Sequence, residues 1–315
     1  MKIAFIFPGQ ASQYVGMGEE FYKNYKESKE VYDKANQLLG MDIASMCFKG
    51  PNEELLKTTN QQPAIHATEI AILNALLSHG VKPDMVAGFS LGEYAALVSA
   101  NILSYEETIK LVLKRGELIQ DNAPLGVGKM AAILGLNSDL VTKLVSEVKG
   151  LGVVEVSNYN CPSNTVISGE VKAIDEAINL IKANKGKAIP LKVSAPFHTS
   201  LIKEAGMKLV NDLQQLTINK SEIPYLPNVT GKIYENGDII ELLSKQVYHP
   251  VLWEDTIKTM LDQGVDLFIE IGPGNSLVKN SKKTADFYQK QATFLNVDKL
   301  DDLNKVLEFI KERGK

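Results

Sequence analysis

Apolar residues follow two different periods along this chain, and together the two periods indicate an α/β protein. Short continuous apolar runs at 1–7, 85–87 and 265–271 predict buried strands of a parallel sheet, because strands covered on both faces lose their polar alternation. Apolar positions spaced by three or four residues predict helices between these strands. The longest of these helices are predicted over 19–39, 64–77, 108–120 and Leu300–Arg313.

The middle of the chain has a different order of predicted elements. Strands are predicted at 130–136, 153–157, 165–168 and 188–193, and helices at 138–149 and 171–184. The resulting order, β-α-β-β-α-β, is that of the ferredoxin-like split βαβ unit. We therefore predict a ferredoxin-like small domain at 126–193, inserted into a larger domain.

The stretch after the second apolar run carries the strongest chemical signal. Gly88-Phe89-Ser90-Leu91-Gly92 is a G-x-S-x-G pentapeptide between a strand and an amphipathic helix. In that context the serine stands on a sharp turn, and the glycines remove Cβ atoms that would clash between strand and helix. We predict that Ser90 is a nucleophile and that the backbone N–H of Leu91 faces any oxyanion formed on it. The alternative is a serine N-cap between two packing glycines.

This nucleophile elbow predicts an α/β hydrolase-like large domain with a parallel sheet, formed by residues 1–125 and 194–315. The loop Pro8-Gly9-Gln10 follows the first strand, and loops beyond strand ends are where α/β proteins build their sites. The backbone N–H of Gln10 is a candidate second oxyanion donor if this strand lies beside the one leading to Ser90. An ordinary turn is the alternative.

Composition excludes several classes of function. The 315 residues are 44% hydrophobic and 23% charged, with a net charge of −4, so nothing indicates nucleic-acid binding. Cys47 and Cys161 lie far apart and outside any C-x-x-C pattern, which predicts neither a disulfide framework nor a metal site. The N-terminal apolar run is too short for a signal peptide, and no run approaches a membrane span. We expect a cytoplasmic protein.

The chain contains four histidines, and their predicted surroundings differ. We expect His66 to be packed or capping within an apolar helix, His79 to cap a helix end, and His249 to lie in a loop. His198 comes directly after the last strand of the small domain, at the seam between the two domains, and clefts between domains are favoured sites. It is the best-placed base for Ser90, with a structural histidine as the alternative.

Several motifs, taken together and in order, resemble the malonyl-CoA:acyl carrier protein transacylase family, the acyltransferases of bacterial fatty-acid synthesis. Acyltransferase domains of polyketide synthases are related to this family. The resemblance covers essentially the full length. Its motifs are residues 7–13 and 88–94, Arg115-Gly116, Pro196-Phe197-His198, residues 246–253 and residues 270–274.

The resemblance implies that malonyl passes from malonyl-CoA to the phosphopantetheine thiol of acyl carrier protein through a malonyl-serine ester. It implies Ser90 as nucleophile, His198 as general base and the amides of Gln10 and Leu91 as oxyanion donors. No aspartate completes the pair in this family. The main-chain carbonyl of the residue matching Gln246 orients the histidine.

Two further residues gain a role only from the resemblance. Arg115 is the lone arginine of its helix, and such arginines are usually solvated. The family implies instead that it grips the free carboxylate of malonyl with two parallel hydrogen bonds. Asn160 is expected to line the site. No cofactor is implied, since the coenzyme A thioester is a substrate.

The sequence departs from the family pattern at two positions. Phe89 stands where the family usually has histidine, and Ala11 stands where the Gly-Gln-Gly-Ser-Gln loop usually has its middle glycine. Phe197, just before the predicted base, agrees with malonyl as substrate, because small residues at this position accompany methylmalonyl in polyketide relatives.

The predicted partners are malonyl-CoA and an acidic acyl carrier protein, with no nucleic acid, no membrane and a monomeric enzyme. Candidate docking clusters for the carrier are Lys182, Lys185 and Lys187, or Lys279, Lys282 and Lys283. Solvated surface lysines are the alternative. Three other functions stay open: a serine thioesterase or hydrolase, a polyketide acyltransferase acting in trans, and a catalytically idle acyl-binding module.

Overall fold

Two β-sheets, one parallel and one antiparallel, organise the part of the chain that is described. The computed structural model describes residues 1–123, 126, 128–191, 195–235 and 237–313. The predicted domain boundaries at 125/126 and 193/194, and the end of the strand predicted at 188–193, lie at or outside the edges of these residues. The mixed α/β class with a parallel sheet is confirmed.

The parallel sheet has the strand order β7-β2-β1-β8-β9. Its strands are β1 (Ile3–Phe7), β2 (Met85–Gly88), β7 (Tyr225–Leu226), β8 (Leu267–Ile271) and β9 (Thr293–Val297). Successive residues of β1 enter different apolar clusters, Phe5 and Phe7 on one face and Ala4 and Ile6 on the other. Burial on both faces explains why β1, β2 and β8 read as continuous apolar runs.

The antiparallel sheet has the order β4-β5-β3-β6 and its own apolar cluster under two helices. Its strands are β3 (Gly128–Leu134), β4 (Val154–Cys161), β5 (Asn164–Glu170) and β6 (Lys187–Pro190), and its helices are α8 (Ser138–Glu147) and α9 (Val171–Ala183). The observed order of elements is the predicted β-α-β-β-α-β. Strand β4 is longer than predicted and contains irregular pairing between Val156 and Cys161.

The other helices belong to the segments on either side of this unit. They are α1 (Glu19–Asn24), α2 (Lys26–Leu39), α3 (Ile43–Lys49), α4 (Asn52–Leu55), α5 (Thr58–Ser78), α6 (Glu93–Ser99), α7 (Tyr105–Asn122), α10 (Lys203–Leu213), α11 (Ile239–Gln246), α12 (Trp253–Asp262), α13 (Ser276–Phe287) and α14 (Leu300–Arg313). Within the described ranges, no helix is both long and apolar enough to cross a bilayer.

Two predicted helices differ most from the structure in their bounds. The single helix predicted at 19–39 is broken at Tyr25, whose backbone is extended and whose hydroxyl lies 2.9 Å from His79 Nε2. Helix α5 begins six residues before the predicted start and contains Pro63. Its first turns carry buried polar side chains, Gln61 and Gln62, which an apolar pattern does not include.

Candidate active site

The turn after β2 has the backbone geometry that the pentapeptide predicts. Ser90 has φ +53°, in the left-handed region that non-glycine residues rarely adopt. A Cβ on Gly88 would lie 1.9 Å from the carbonyl oxygen of Gly92, and a Cβ on Gly92 would lie 2.2 Å from that of Phe7. Only glycine fits at these two positions, since the strands and helix α6 approach too closely for any side chain.

The serine hydroxyl contacts a histidine that lies more than a hundred residues away in sequence. Ser90 Oγ is 2.8 Å from His198 Nε2, and both residues are buried. His198 Nδ1 lies 2.9 Å from the main-chain oxygen of Gln246 and 3.1 Å from that of His249. Because a carbonyl oxygen only accepts, the proton is on Nδ1, and Nε2 is free to accept from the serine hydroxyl.

The histidine is neutral in the free protein. Burial lowers the pKa of His198 to about 3, and the nearby positive charge of Arg115 lowers it further in the same direction. Hydrogen bonds from Nδ1 to the two carbonyl oxygens oppose this shift without reversing it. The imidazole is therefore in the form that a general base requires.

Arg115 extends from α7 to the other side of the serine. Its Nη2 donates to Ser90 Oγ at 3.2 Å and to Gln246 Oε1 at 3.1 Å, and its Nη1 donates to Gln62 Oε1 at 3.0 Å. The guanidinium is 1% exposed, and no carboxylate of the described residues lies within ion-pair distance of it. A buried cation held only by neutral oxygens is a site for an anion.

Gln246 links the three groups through separate atoms. Its main-chain oxygen faces His198 Nδ1, its Oε1 accepts from Arg115, and its Nε2 donates to the carbonyl oxygen of Ser90 at 2.5 Å. The serine, the histidine and the arginine are thus positioned by one residue at the end of α11.

A cavity of about 340 Å³ opens beside the serine, between the two sheets. Met130, Asn160 and Val166 line it from the antiparallel sheet, and Gln10 and Phe197 line it from the other side. The buried Oδ1 of Asn160 has no hydrogen-bond partner in the described part of the protein. The cavity is lined by polar side chains, Gln10, Ser90 and His198 among them, as well as by apolar walls.

Gln10 was predicted as an oxyanion donor on the condition that the first strand lies beside the strand that leads to Ser90. The structure meets this condition, because β1 lies beside β2 in the parallel sheet. The Gln10 side chain donates from Nε2 to Gln61 Oε1 at 2.6 Å, and Leu91 lies in the single 3₁₀ turn that begins at Ser90. The oxyanion roles of these two backbone amides stay predictions. The structure brings Ser90, His198 and Arg115 into direct contact.

The serine N-cap alternative does not describe this turn. No side-chain capping bond precedes the 3₁₀ turn or helix α6, and Ser90 Oγ contacts His198 and Arg115 instead. His66 is packed, as predicted, with Nε2 2.8 Å from Thr108 Oγ1.

Three site residues were missed by the sequence analysis. Gln62 accepts a hydrogen bond from Arg115, Asn228 accepts one from the N–H of Ser90, and His249 supplies a second main-chain oxygen to His198. The polar pair Gln61-Gln62 ahead of an apolar helix does not distinguish a loop from a site, and His249 was marked only by its place in the motif at 246–253.

The structure shows the surroundings of Phe89 and Ala11, the two departures from the family pattern. The ring of Phe89 packs edge-on against Trp253 at 5.6 Å and forms part of the cavity wall. Ala11 has φ +74°, a left-handed conformation that favours glycine. The alanine is therefore strained in a position where the family usually has glycine. Cys47 and Cys161 are both buried and unbridged, and the described residues contain no cluster of metal-binding side chains.

Comparison with known proteins defines the class to which this fold and site belong. The chain belongs to the acyl transferase domain family, which it matches over residues 4–306. It is 43% identical, over 90% of both chains, to the malonyl CoA-acyl carrier protein transacylase of Bacillus subtilis (strain 168). The crystal structure of the malonyl CoA-acyl carrier protein transacylase from Clostridium perfringens superposes with a TM-score of 0.96, at 43% identity, over 100% of this chain and 98% of that one.

A further similar structure contains a carrier protein. It is a malonyl-transacylase in complex with the acyl-carrier protein of a type II polyketide synthase. The present chain resembles that enzyme with a TM-score of 0.93 at 35% identity, over 98% of this chain and 99% of the other.

Proposed function

We propose that this protein transfers a malonyl group from malonyl-CoA to the phosphopantetheine thiol of acyl carrier protein, through a malonyl ester on Ser90. The observation that carries the proposal is the position of Ser90 Oγ, with a neutral imidazole at 2.8 Å and a guanidinium at 3.2 Å. A base on one side of the hydroxyl and a guanidinium without a direct ion-pair partner on the other suit an acyl group that ends in a carboxylate. The names of the relatives support the same substrates.

The first half-reaction forms the ester. His198 Nε2 takes the proton of Ser90 Oγ as the oxygen attacks the thioester carbonyl of malonyl-CoA. The backbone N–H groups of Gln10 and Leu91 donate to the oxyanion of the tetrahedral intermediate. Loss of one such donor typically costs about 3–4 kcal/mol of barrier. The carbon–sulfur bond then breaks, and coenzyme A leaves with the proton that His198 returns.

The second half-reaction reverses these roles. The phosphopantetheine thiol gives its proton to His198 and attacks the ester carbonyl of malonyl-Ser90. The ester carbon–oxygen bond breaks, and His198 returns the proton to Ser90 Oγ. A ping-pong sequence follows, because the two thiols use the same cavity at different times.

Arg115 selects malonyl and also adjusts the base. A malonyl carboxylate pairs with the guanidinium, whereas an acetyl group leaves the buried guanidinium bonded only to neutral oxygens. The charge of Arg115 is one cause of the low pKa of His198, so neutralising it with the substrate carboxylate raises that pKa. A stronger base is therefore formed when the correct substrate is bound.

The proposal also includes the division of the chain into two domains. We describe residues 1–125 and 194–315 as a hydrolase-like domain and residues 126–193 as an inserted ferredoxin-like domain. The β4-β5-β3-β6 order, with two helices on one apolar cluster, supports the second assignment. The cleft between the two sheets is then the cleft between two domains. We expect a cytoplasmic monomer.

The main rival is a serine thioesterase, in which water replaces the carrier thiol. It uses the same Ser90 and His198 contact, but it has no need for the buried Arg115. A polyketide acyltransferase acting in trans differs only in its carrier, and the similar complex with a polyketide carrier protein keeps this variant open. The contact of the serine with a base argues against an idle binding module.

One experiment separates these functions. The protein is incubated with radiolabelled malonyl-CoA, the acyl-enzyme is trapped by acid, and the remainder receives either carrier protein or buffer. We expect stable label on wild type, none on Ser90→Ala, and rapid movement of label to the carrier. Rapid release to buffer without transfer indicates a thioesterase, and no label on wild type contradicts the acyltransferase.

Arg115→Ala tests the selection step in the same assay. The variant is expected to lose the preference for malonyl-CoA over acetyl-CoA, because the cation that pairs with the carboxylate is gone. Retained selectivity would contradict the carboxylate role. Folding of the variant is checked by thermal unfolding.

Carrier docking is tested at the two lysine clusters. Lys279 and Lys283 are exposed, while Lys282 forms an ion pair with Asp286 at 2.9 Å. Reversing the charge of Lys279 and Lys283 is expected to raise KM for the carrier, but not for malonyl-CoA, and to weaken the salt dependence. The other candidate cluster is tested separately by reversing Lys182 and Lys185, which are also exposed. Unchanged kinetics in both sets end the docking hypothesis.

A further inference from the structure

The parallel ladder between β7 and β2 stops just before the nucleophile. Val86 N–H donates to the main-chain oxygen of Pro224 at 2.9 Å, and the last paired residues are Ala87 and Leu226. A parallel ladder advances two residues on each strand per repeat. Continued in this register, the ladder would pair Ser90 N–H with the main-chain oxygen of Asn228.

The main chain of Asn228 is used elsewhere. Its N–H donates to Glu93 Oε1 at 3.3 Å, and its carbonyl oxygen accepts from the N–H of Leu252 at 2.9 Å. The backbone at this point has turned away from β2. The carbonyl of Gly88 and the N–H of Ser90 therefore need partners from another source, because both are buried.

The side chain of Asn228 supplies both partners. Its Oδ1 accepts from Ser90 N–H at 2.6 Å, and its Nδ2 donates to the carbonyl oxygen of Gly88 at 2.5 Å. In a parallel ladder, each residue bonds through its own N–H and C=O to the two residues that flank its partner on the next strand. Here the partner of Asn228 would be Phe89, and the flanking residues are Gly88 and Ser90. The 1% exposed amide thus replaces one missing step of the ladder opposite Phe89.

The opposite edge of the same turn is held by β1. Phe89 N–H donates to the main-chain oxygen of Phe7 at 2.8 Å. The turn is therefore bonded on both sides, by a main chain on one side and by a side-chain amide on the other. Ser90 keeps φ +53° in this setting, although an unsupported serine would relax from it.

We propose that Asn228 is a positioning residue for the reaction: its side-chain amide continues the sheet past the end of β7 and fixes the strained backbone of Ser90. The inference rests on the proposed function, in which Ser90 Oγ is the nucleophile. Removing the amide leaves the N–H of Ser90 and the carbonyl of Gly88 unsatisfied, and the backbone must shift to find partners. The hydroxyl then leaves its position 2.8 Å from His198 Nε2.

The test compares two substitutions at this position. Asn228→Leu has similar size and removes both bonds. The rate constant for acylation of Ser90 by malonyl-CoA is expected to fall by about 10²-fold, as for misplacement of a reacting group by about 1 Å. The KM for malonyl-CoA is expected to stay within about threefold, because the cavity and Arg115 are untouched.

Asn228→Asp gives a signature that a general loss of stability does not. A neutral carboxylic acid can donate to Gly88 and accept from Ser90, whereas a carboxylate repels the Gly88 carbonyl. Burial favours the neutral form, and so does the neighbouring carboxyl of Glu93, whose Oε1 accepts from the Asn228 N–H at 3.3 Å. The ratio of the acylation rate of Asn228→Asp to that of wild type is therefore expected to rise as pH falls. The same ratio for Asn228→Leu is expected not to change with pH.

Ser28→Ala is the matched control for stability. It removes one buried hydrogen bond, from Ser28 Oγ to the carbonyl oxygen of Ala71 at 2.6 Å, between α2 and α5. The control is expected to keep the wild-type acylation rate. Wild-type rates in folded Asn228→Leu, or a pH-independent ratio in Asn228→Asp, overturn the positioning role.

A second reagent separates this inference from the proposed function. A serine-directed phosphonate labels an activated serine whatever the natural acyl donor is. If malonyl-CoA fails to acylate wild type, the proposed function is wrong, and slower phosphonate labelling of the Asn228 variants than of Ser28→Ala still supports the positioning role. If malonyl-CoA acylates wild type and all variants equally, only the positioning role is wrong.

Discussion

Gln62→Glu places a negative charge beside the cation that is proposed to bind malonyl. Gln62 Oε1 accepts from Arg115 Nη1 at 3.0 Å, and both side chains are buried. Glutamate has nearly the same shape as glutamine, so a carboxylate oxygen occupies the same position and can pair with the guanidinium. The substrate carboxylate then meets a neutral pair instead of a free cation.

The size of the effect follows from the geometry. With the two charges about 4 Å apart and an effective dielectric constant of about 20, the attraction is about 4 kcal/mol. Losing this much binding of the malonyl carboxylate lowers kcat/KM for malonyl-CoA by up to about 10³-fold. Acetyl-CoA has no carboxylate to lose, so its kcat/KM is expected to change far less, and the preference for malonyl falls by nearly the same factor.

The assay measures acylation of Ser90 by malonyl-CoA and by acetyl-CoA under single-turnover conditions. Gln62→Met is the control, because it removes the acceptor at similar length without adding charge. We expect the methionine variant to lose about tenfold for malonyl-CoA, the scale of one hydrogen bond to a charged group. A glutamate variant that keeps the malonyl preference within threefold of wild type refutes the idea that an uncompensated Arg115 selects the substrate.

Three further predictions concern protonation and backbone strain. In the absence of substrate, the rate of phosphonate labelling of Ser90 should be constant from about pH 8 to about pH 5, because the pKa of His198 is lowered to about 3. Arg115→Ala removes one cause of that low pKa, so its labelling rate should begin to fall at a higher pH than that of wild type. Burial raises the pKa of Glu270 from 4.5 to about 7, so the folded state keeps a proton that the unfolded state releases, and stability falls as pH rises through this window. Urea unfolding should therefore show Glu270→Gln gaining up to about 3 kcal/mol over wild type above pH 7 and almost nothing near pH 4.5. Ala11→Gly should stabilise the protein by about 0.5–1 kcal/mol, since glycine removes the left-handed strain but adds unfolded-state entropy.

The sequence predicted those helices and strands whose pattern of buried and exposed residues is regular. Strand β1 was predicted to within two residues and helix α14 with its observed bounds, because a strand buried on both faces and an amphipathic helix each leave a regular pattern. Helices α3, α10 and α13 and strand β9 were not predicted. Strand β9 is only partly buried for most of its length, so the continuous apolar run that identified the other parallel strands is missing.

The same reasoning explains which of the residues that line the cavity or contact Ser90 could be predicted. The pentapeptide marked Ser90 because a close approach of strand and helix demands glycines at fixed spacing. His198 followed from its place at the seam between two predicted units. Gln62 and Asn228 were missed because a glutamine or asparagine has no periodicity of its own, and its partners become neighbours only after folding. The distance of 138 residues between Ser90 and Asn228 leaves no local trace.

Two glutamines of the site, the missed Gln62 and the predicted Gln246, share a chemical property that suits it. Gln62 and Gln246 hold Arg115 with amide oxygens, which orient a cation without neutralising it. Glu93, whose charge also acts on Arg115, is hydrogen-bonded to Tyr225, and burial raises its pKa to about 7, so at neutral pH it carries only part of a charge. A full carboxylate in any of these places would occupy the guanidinium before the substrate arrived. Neutral amides therefore leave the positive charge of Arg115 for an incoming acid, in agreement with the proposed selection of malonyl over acetyl groups.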